Sequence, residues 1–357
     1  MKISIIGVGL IGGSIAKGLK KKDPKIHIHG FDKTEVIQKA LKDGTVDSAL
    51  KTIDDSVDSD IIFLCLPPEL SLFVLEEIGP NICEQTIISD VCGVKGVFAY
   101  KWKNLQSKGL YVGGHPLTGK DKAGYEHSEA DLFENTIYTL SNLYEGNEKI
   151  NKLITTIEKL GARIRFLDPY LHDKIAATVS HLPQTIAVSL LLTASESEKG
   201  VNFLDFASGG FTDITRIAAI DFSLWDSLYR NNKRAIIPAI ELFQKHLNLV
   251  KHAIHNKEFQ KLGEMFKNAR NSRDLIPKNT KGFISPLFDL FIEVHDTHGV
   301  IAKITSVVAK KSINIKDIEL LKARENMSGS LRLSFDSKEA LEKAHKYITK
   351  EGYTIYE

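Results

Sequence analysis

The 357-residue chain contains only three cysteines and has almost no excess charge of either sign. Cys65, Cys83 and Cys92 are odd in number and lack metal-ligand spacing, which favours a reducing compartment over a disulfide framework. The formal net charge of +2 does not favour nucleic acid or a charged membrane surface as a partner. We therefore expect a cytoplasmic protein without a metal site, whose partners are small molecules or other copies of the chain.

Long hydrophobic runs are also missing. The N-terminal sequence MKISIIGVGLIGGS breaks into glycines where a signal peptide would continue. The apolar run TIAVSLLLTA is shorter than the roughly 18 residues of a membrane helix. We expect neither secretion nor membrane insertion, and the chain length predicts two or three domains.

Residues 1–167 alternate strand-like and helix-like segments, from KISIIGV to ARIRFLD, and LYVGGHP is predicted to be one of the strands. This alternation is typical of a Rossmann-type α/β domain, whose mostly parallel sheet is covered on both faces. Over residues 168–282 the apolar residues recur at helical spacing, as at Ile236, Ile240 and Phe243, which predicts an all-α domain. Such helices pack either within one chain or against a second subunit, and the spacing does not decide between these alternatives.

The last pattern covers residues 287–357 and follows the linker-like segment RDLIPKNTKGFISP. The alternating segment FDLFIEV precedes an amphipathic helix, the two strand-like segments NIKDIELLKA and SLRLSF, a second helix and the final strand YTIY. The order β-α-β-β-α-β predicts a ferredoxin-like α+β domain.

A glycine-rich motif directly follows the first strand. The segment GVGLIGGS contains Gly7, Gly9, Leu10, Ile11 and Gly12, with its glycines in G-x-G-x-x-G register ahead of an apolar helix. Such glycines allow a tight turn, a close approach of backbone to a pyrophosphate, and close packing of helix on strand. The motif therefore predicts a dinucleotide site at the helix N-terminus.

Asp32 ends the second strand, twenty residues after Gly12. A carboxylate at this position accepts hydrogen bonds from the ribose hydroxyls and repels a 2′-phosphate, which favours NAD over NADP. The adjacent Lys33 leaves NADP open.

Reacting groups are expected in loops at the carboxyl ends of the parallel strands. In YVGGHP, His115 is followed by proline, which favours extended backbone, and is preceded by two glycines. A neutral imidazole there would accept a proton from a substrate hydroxyl as hydride leaves the same carbon. A turn histidine with only local hydrogen bonds is equally consistent with the spacing.

The helical region adds His172, Asp173, His181 and Arg216 within apolar surroundings. Core or interface histidines are the commoner interpretation of His172 and His181. The Arg216 guanidinium needs an anionic partner, which is either a substrate carboxylate or an internal acidic residue.

Over nearly its whole length the chain resembles the prephenate dehydrogenases of tyrosine biosynthesis. The motifs that carry the resemblance are GVGLIGGS with Asp32, GGHPLTG, DPYLHDKIAATVSHLP and GGFTDITRIAAID. The tail, with HDTHGVIAKI and NIKDIELL, resembles an ACT domain.

This resemblance implies NAD-dependent oxidative decarboxylation of prephenate to 4-hydroxyphenylpyruvate and carbon dioxide, in a homodimer formed by the helical domain. By motif position, His115 would be the base and Arg216 would bind a substrate carboxylate. His172, Asp173 and His181 lie in the motif that lines the cleft between the domains, where they would have supporting roles.

Three positions bear on substrate choice. The family commonly has a serine at the position of Gly93, where it helps to position the catalytic histidine, and often has a histidine at the position of Gln184. Gln184 donates a hydrogen bond without carrying charge. These two residues and Asp121 leave open whether prephenate or arogenate is preferred.

The ACT-like tail implies feedback control by an amino acid, with tyrosine expected near Asp296, His298, Gly299 and Asn314. A tail that serves only in oligomerisation is the alternative. Two other classes are alternatives for the whole chain. One is a 3-hydroxyacid dehydrogenase, but the segments SHLPQ and TRIA of this chain do not resemble the motifs of that class. The other is a non-catalytic sensor of NAD or an amino acid.

Overall fold

The computed structural model describes residues 1–120, 122–276, 287–295, 297–321 and 328–356. Two compact units are present, Met1–Phe266 and Lys267–Glu357. Two of the predicted site residues, Asp121 and Asp296, lie outside the described residues.

A six-stranded parallel sheet forms the first half of unit 1, with strand order β3-β2-β1-β4-β5-β6. Strand segments such as KISII and IIFL are apolar throughout because helices cover both faces of the sheet. The strands are β1 (Lys2–Ile6), β2 (His27–Phe31), β3 (Ser48–Ala49), β4 (Ile61–Leu64), β5 (Ile87–Asp90) and β6 (Leu110–Tyr111). The helices between them are α1 (Leu10–Lys22), α2 (Thr34–Lys42), α3 (Pro68–Ile78) and α4 (Gly96–Lys103).

A second, three-stranded sheet follows, in the order β7-β8-β9. It contains β7 (Gly114–Pro116), β8 (Ile137–Ser141) and β9 (Arg163–Leu167), and α5 (Asn151–Lys159) precedes β9. The sequence predicted one strand over LYVGGHP, but the chain leaves the first sheet after Val112, which donates to the Ile88 carbonyl, and the Gly113 carbonyl instead accepts from Ser141. His115 therefore belongs to the second sheet, with β7 antiparallel to β8.

The helical half of unit 1 begins at α6 (Pro169–Ala176), where the Asp168 carboxylate caps the backbone N–H groups of Tyr170 and Leu171 at 2.9 Å. A π-helical turn, Ala177–His181, joins it to α7 (Leu182–Ala194). A two-residue hairpin, which the all-α prediction omitted, precedes three further helices. These elements are β10 (Ser197–Glu198), β11 (Val201–Asn202), α8 (Gly209–Thr215), α9 (Ser223–His255) and α10 (Phe259–Asp274).

Because the π-helical turn makes α6 and α7 continuous, the segment Pro169–Ala194 is long and apolar enough to cross a membrane by length and composition. Its first half also carries His172, Asp173 and His181, all buried within unit 1. Exposed apolar side chains line both this segment and α9, and include Leu171, Ile175, Val179, Leu192, Ile237, Leu242 and Leu247. Apolar surface of this kind is typical of a face that another protein chain covers.

Unit 2 contains a four-stranded antiparallel sheet with strand order β13-β14-β12-β15. Its elements are β12 (Phe288–His295), α11 (Val300–Ala309), β13 (Asp317–Leu321), β14 (Ser328–Phe335), α12 (Lys338–Lys350) and β15 (Ile355–Tyr356). Alternate residues of β12 and β14, such as Ile292 and Leu331, pack with Ile304 and Ile348 of the helices. This is the β-α-β-β-α-β arrangement that the sequence predicted.

Candidate active site

The loop between β1 and α1 has the geometry of a dinucleotide cradle. A Cβ atom at Gly7, where φ is +97°, would lie 2.5 Å from the Cys65 carbonyl oxygen, and one at Gly12 would lie 2.0 Å from the Gly7 oxygen. A Cβ at Gly9 would have no heavy atom within 4 Å. The outer glycines are thus required for packing, whereas Gly9 leaves the approach to the N-terminus of α1 open to a phosphate.

Leu10 and Ile11 form the start of α1, and the N-cap residue of that helix is Gly9, which has no side chain to cap it. Asp32 follows β2. Its carboxylate accepts hydrogen bonds from the backbone N–H groups of Val8 and Lys33, each with an N···O distance of 2.7 Å. Asp32 is therefore held against the glycine loop, and each of its oxygens retains a lone pair for a ribose hydroxyl. These residues fit NAD.

His115 lies at one end of a chain of hydrogen-bonded side chains. Its Nδ1 is 2.9 Å from His172 Nε2, and His172 Nδ1 is 3.0 Å from Asp173 Oδ1. The Asp173 carboxylate is in turn anchored by the backbone N–H groups of Lys95, at 2.6 Å, and Gly96, at 2.8 Å. His172 and Asp173 in the first turns of α6 thus hold the imidazole of His115, which lies in β7 of the second sheet.

The hydrogen bonds from Asp173 through His172 to His115 determine which nitrogen of His115 carries the proton. A carboxylate only accepts, so His172 Nδ1 donates to Asp173 and its Nε2 becomes an acceptor. His115 Nδ1 must then donate to His172, which leaves the lone pair on His115 Nε2. Nε2 is therefore the atom that can accept a substrate proton.

Electrostatics keep the His115 ring neutral. Burial, and then the neighbouring His172, Lys95 and His181, hold the pKa of His115 well below its usual value. The imidazole is consequently neutral near pH 7, as a general base must be before it acts.

Gly93 lies beside the free nitrogen of His115. A Cβ at Gly93 would be 3.8 Å from His115 Nε2 and 3.2 Å from Leu228 Cδ2. Neither Ser89 nor Cys92, the nearby side chains that could replace the family serine, bonds to His115: Ser89 Oγ is buried without a hydrogen-bond partner among the described residues, and the Cys92 thiol donates to the Leu66 carbonyl. His172 therefore orients His115 from its other side.

Asn232 is a site residue that the sequence analysis missed. It lies at a kink in α9, with φ −116° and ψ 15°, and its side-chain nitrogen donates to the Asp173 carbonyl at 2.9 Å and contacts His181 Nδ1 at 3.2 Å. The polar pair NN within an amphipathic helix was the available signal. Through Asn232, α9 supports the π-helical turn and the first turns of α6.

His181 is buried, with 2% of its surface exposed, and its ring packs edge-on against Trp225 at a centroid distance of 5.9 Å. Burial lowers the pKa of His181 to about 4, against the opposing effect of Asp173. His181 is therefore neutral near pH 7.

Arg216 begins a 3-10 turn, Arg216–Ala219, and its side chain is exposed. It has no ion-pair partner among the described residues, so no internal acid was found for it. Gln184 is buried below this turn, where its Nε2 donates to the Ile217 carbonyl at 3.0 Å and its Oε1 has no described partner. Gln184 thereby supports the turn that carries Arg216.

The predicted effector residues of unit 2 lie at both ends of α11. His298 and Gly299, where φ is +80°, form the turn before this helix, and Asn314 is exposed in the segment after it. A ten-residue helix is about 15 Å long, so one copy does not bring these residues together.

Three family models match the chain: "Prephenate dehydrogenase, nucleotide-binding domain" over residues 15–166, "Prephenate dehydrogenase, dimerization domain" over 168–268, and "AHAS small subunit-like ACT domain" over 290–356. The prephenate dehydrogenase of Lactococcus lactis is 34% identical over 354 residues, covering 98% of both chains. That of Bacillus subtilis is 32% identical over 352 residues, covering 97% of this chain and 95% of the relative.

A solved structure of the A. aeolicus prephenate dehydrogenase, in complex with hydroxyphenyl propionate and NAD+, is similar to this chain with a TM-score of 0.70 at 32% identity. The similarity covers 77% of this chain and 98% of that one. Together with the glycine loop and the His115 chain, these findings define an NAD-dependent dehydrogenase with a dimerisation domain and an ACT domain. The chain belongs to the prephenate dehydrogenase family.

Proposed function

We propose that the protein catalyses the oxidative decarboxylation of prephenate to 4-hydroxyphenylpyruvate and carbon dioxide, with His115 as the general base. The observation that carries this proposal is the hydrogen-bonded chain from Asp173 through His172 to His115, which leaves a neutral Nε2 free. NAD, when bound, supplies the hydride acceptor.

His115 Nε2 takes the proton of the substrate hydroxyl as the adjacent C–H bond gives up its hydride. The hydroxyl oxygen thereby becomes a carbonyl. Cleavage of the bond to the ring carboxylate then releases carbon dioxide, and its electron pair completes the aromatic ring and leaves the carbonyl oxygen as a phenolate, which takes back the proton held by His115 Nε2. His172 stabilises the protonated base by accepting from its Nδ1.

The cofactor would bind at Gly7, Gly9, Leu10, Ile11, Gly12 and Asp32. Arg216 would hold a substrate carboxylate, which is supported by its exposed guanidinium without a described ion-pair partner. Gln184 would act through the turn of Arg216, and His181 and Asp121, the latter outside the described residues, are the other residues proposed for substrate binding.

The direct test is turnover on prephenate and arogenate side by side, each with NAD and with NADP, followed by absorbance of the reduced cofactor. We expect prephenate with NAD to be the preferred pair, and the His115→Asn variant to serve as the control for contaminating dehydrogenases. Preference for arogenate would change the substrate but keep the mechanism. Absence of turnover with either, while NAD and tyrosine still bind, would instead support a sensor.

We further infer that the protein acts in the cytoplasm as a homodimer and that tyrosine regulates it through the ACT domain. The exposed apolar side chains of α6, α7 and α9 support pairing through the helical domain. The separation of His298 from Asn314 along α11 supports an effector site completed by a second copy. Size-exclusion chromatography with light scattering measures the oligomeric state, and turnover with and without tyrosine measures the regulation.

A further inference from the structure

A buried ion pair lies behind the segment that carries His115. Lys95 Nζ donates to Asp90 Oδ2, and the two side chains are 2% and 0% exposed. Neither side chain is accessible to a substrate. A buried ion pair is costly to desolvate, and it is weak evidence of stabilisation by itself. The pair is therefore better explained by the groups that it positions.

Asp90 connects the end of β5 to the segment that carries His115. Its Oδ1 accepts from the Tyr111 hydroxyl at 2.7 Å and from the Gly114 backbone N–H at 3.3 Å, and its Oδ2 also accepts from the Cys92 N–H at 3.0 Å. Gly114 directly precedes the base. Asp90 therefore holds one end of the hydrogen-bonded chain.

Lys95 holds the other end. Its backbone N–H donates to Asp173 Oδ1, while its side chain turns back to Asp90. The two glycines before His115 make this approach possible: a Cβ at Gly113 would lie 3.0 Å from Lys95 Cδ, and one at Gly114 would lie 2.7 Å from the Asp90 carbonyl oxygen. Because Gly113 and Gly114 have no side chains, the segment GGH can pack directly against the ion pair.

The pair also balances charge near the base. The titratable groups that act on His115 are His172 from α6, His181 from the π-helical turn and Lys95 from the loop before α4. Asp90 neutralises Lys95 within the protein. Loss of either member would leave one uncompensated charge close to His115.

We propose that Asp90 and Lys95 form a positioning pair for the dehydrogenase reaction: together they set the spacing between His115 and Asp173 and the net charge behind the base. The pair touches neither substrate nor cofactor. This inference rests on the proposed role of His115 as the base.

The test compares Lys95→Met, Asp90→Asn and the double variant. Each is assayed for the pH dependence of kcat/KM on prephenate with NAD, and for the NMR titration of the His115 imidazole. The matched control is Lys101→Met, which removes the half-exposed ion pair between Lys101 of α4 and Glu76 of α3.

In Lys95→Met the unpaired Asp90 carboxylate should favour the imidazolium form of His115. The pKa of His115 and the midpoint of the acid limb of the kcat/KM profile should therefore rise by about one pH unit. Asp90→Asn should raise neither the pKa nor this midpoint. Both single variants should lose at least about tenfold in kcat with little change in KM, since the base is displaced while the substrate contacts remain. The electrically neutral double variant should return the pKa to its wild-type position, and the control should change neither quantity.

The inference is overturned if Lys95→Met leaves the His115 titration unmoved, or if the double variant keeps the shift of the single one. Should a single variant fail to fold, Tyr111→Phe removes one anchor of Asp90 without changing charge, and it should lower kcat without shifting the titration. The NMR titration needs no turnover, so it separates failure of this inference from failure of the proposed reaction.

Discussion

Protonation of His181 should destabilise unit 1 in acid. The residue is buried between Asn232 and Trp225, and burial lowers its pKa from 6.5 to about 4. The unfolded chain binds a proton near pH 6.5, whereas the folded chain does not bind it until about pH 4. The stabilising contribution of the neutral ring is therefore complete above pH 6.5 and is lost as the pH falls towards 4.

The size of this effect follows from the pKa difference. Each unit corresponds to about 1.4 kcal/mol, so a fall from 6.5 to about 4 corresponds to a loss of about 3 kcal/mol in the free energy of unfolding. Between these limits the slope approaches about 1.4 kcal/mol per pH unit. This is a large fraction of the stability of an ordinary domain.

The assay is urea unfolding at pH 7, 6, 5 and 4.5, followed by the fluorescence of Trp225 in a Trp102→Phe background, which leaves Trp225 as the single tryptophan. His181→Gln keeps an acceptor for Asn232 but does not titrate in this range, so its unfolding free energy should depend less steeply on pH. The exposed His246→Gln serves as the control. Equal pH dependence in His181→Gln and the parent protein would refute the reasoning.

Four further outcomes test the candidate sites. His115→Asn should lower kcat by about 10² to 10⁴ through loss of the general base, with NAD affinity unchanged by calorimetry; near-normal turnover would remove His115 from the mechanism. Arg216→Ala should raise KM for prephenate by about 10- to 100-fold through loss of a charge-assisted contact, and an unchanged KM would contradict substrate binding there. Gly93→Ser should exceed Gly93→Ala in kcat by about two- to tenfold, because only the hydroxyl reaches Nε2; equal rates would show that it makes no useful hydrogen bond. His298→Ala and Asn314→Ala should weaken inhibition by tyrosine without changing the uninhibited kcat, whereas full inhibition would place the effector elsewhere.

The elements of the fold were largely predictable because each follows from local pattern. Apolar runs identified β1, β4 and β5, helical spacing identified α9, and the order of elements in residues 287–357 identified the ferredoxin-like domain. The break after Val112 was not predictable, because Gly113 changes its hydrogen-bond partner to Ser141, 28 residues further along the chain. Separate apolar segments likewise gave no sign that a π-helical turn joins α6 to α7.

The site divides in the same way. The glycine motif with Asp32 was recognisable because its spacing is local, and His115 was identified as a candidate although its spacing allowed a simple turn residue. The hydrogen bonds that orient it were not visible, since His172 is 57 residues away and the backbone of Lys95 is 78 residues from Asp173. Asn232 was hidden within a helix whose pattern indicated only packing.

The sequence by itself determined the cofactor loop, the order of the domains and the residue types available for chemistry, because spacing along the chain specifies local backbone geometry. Only the tertiary structure decided which nitrogen of His115 is free and what orients it. Those properties depend on side chains from the second sheet, α6 and the loop after β5, and such distant segments meet only when the chain is folded. The glycines of GGHP show both contributions: the sequence places them before the base, and the fold shows that the buried Lys95 and Asp90 require the space.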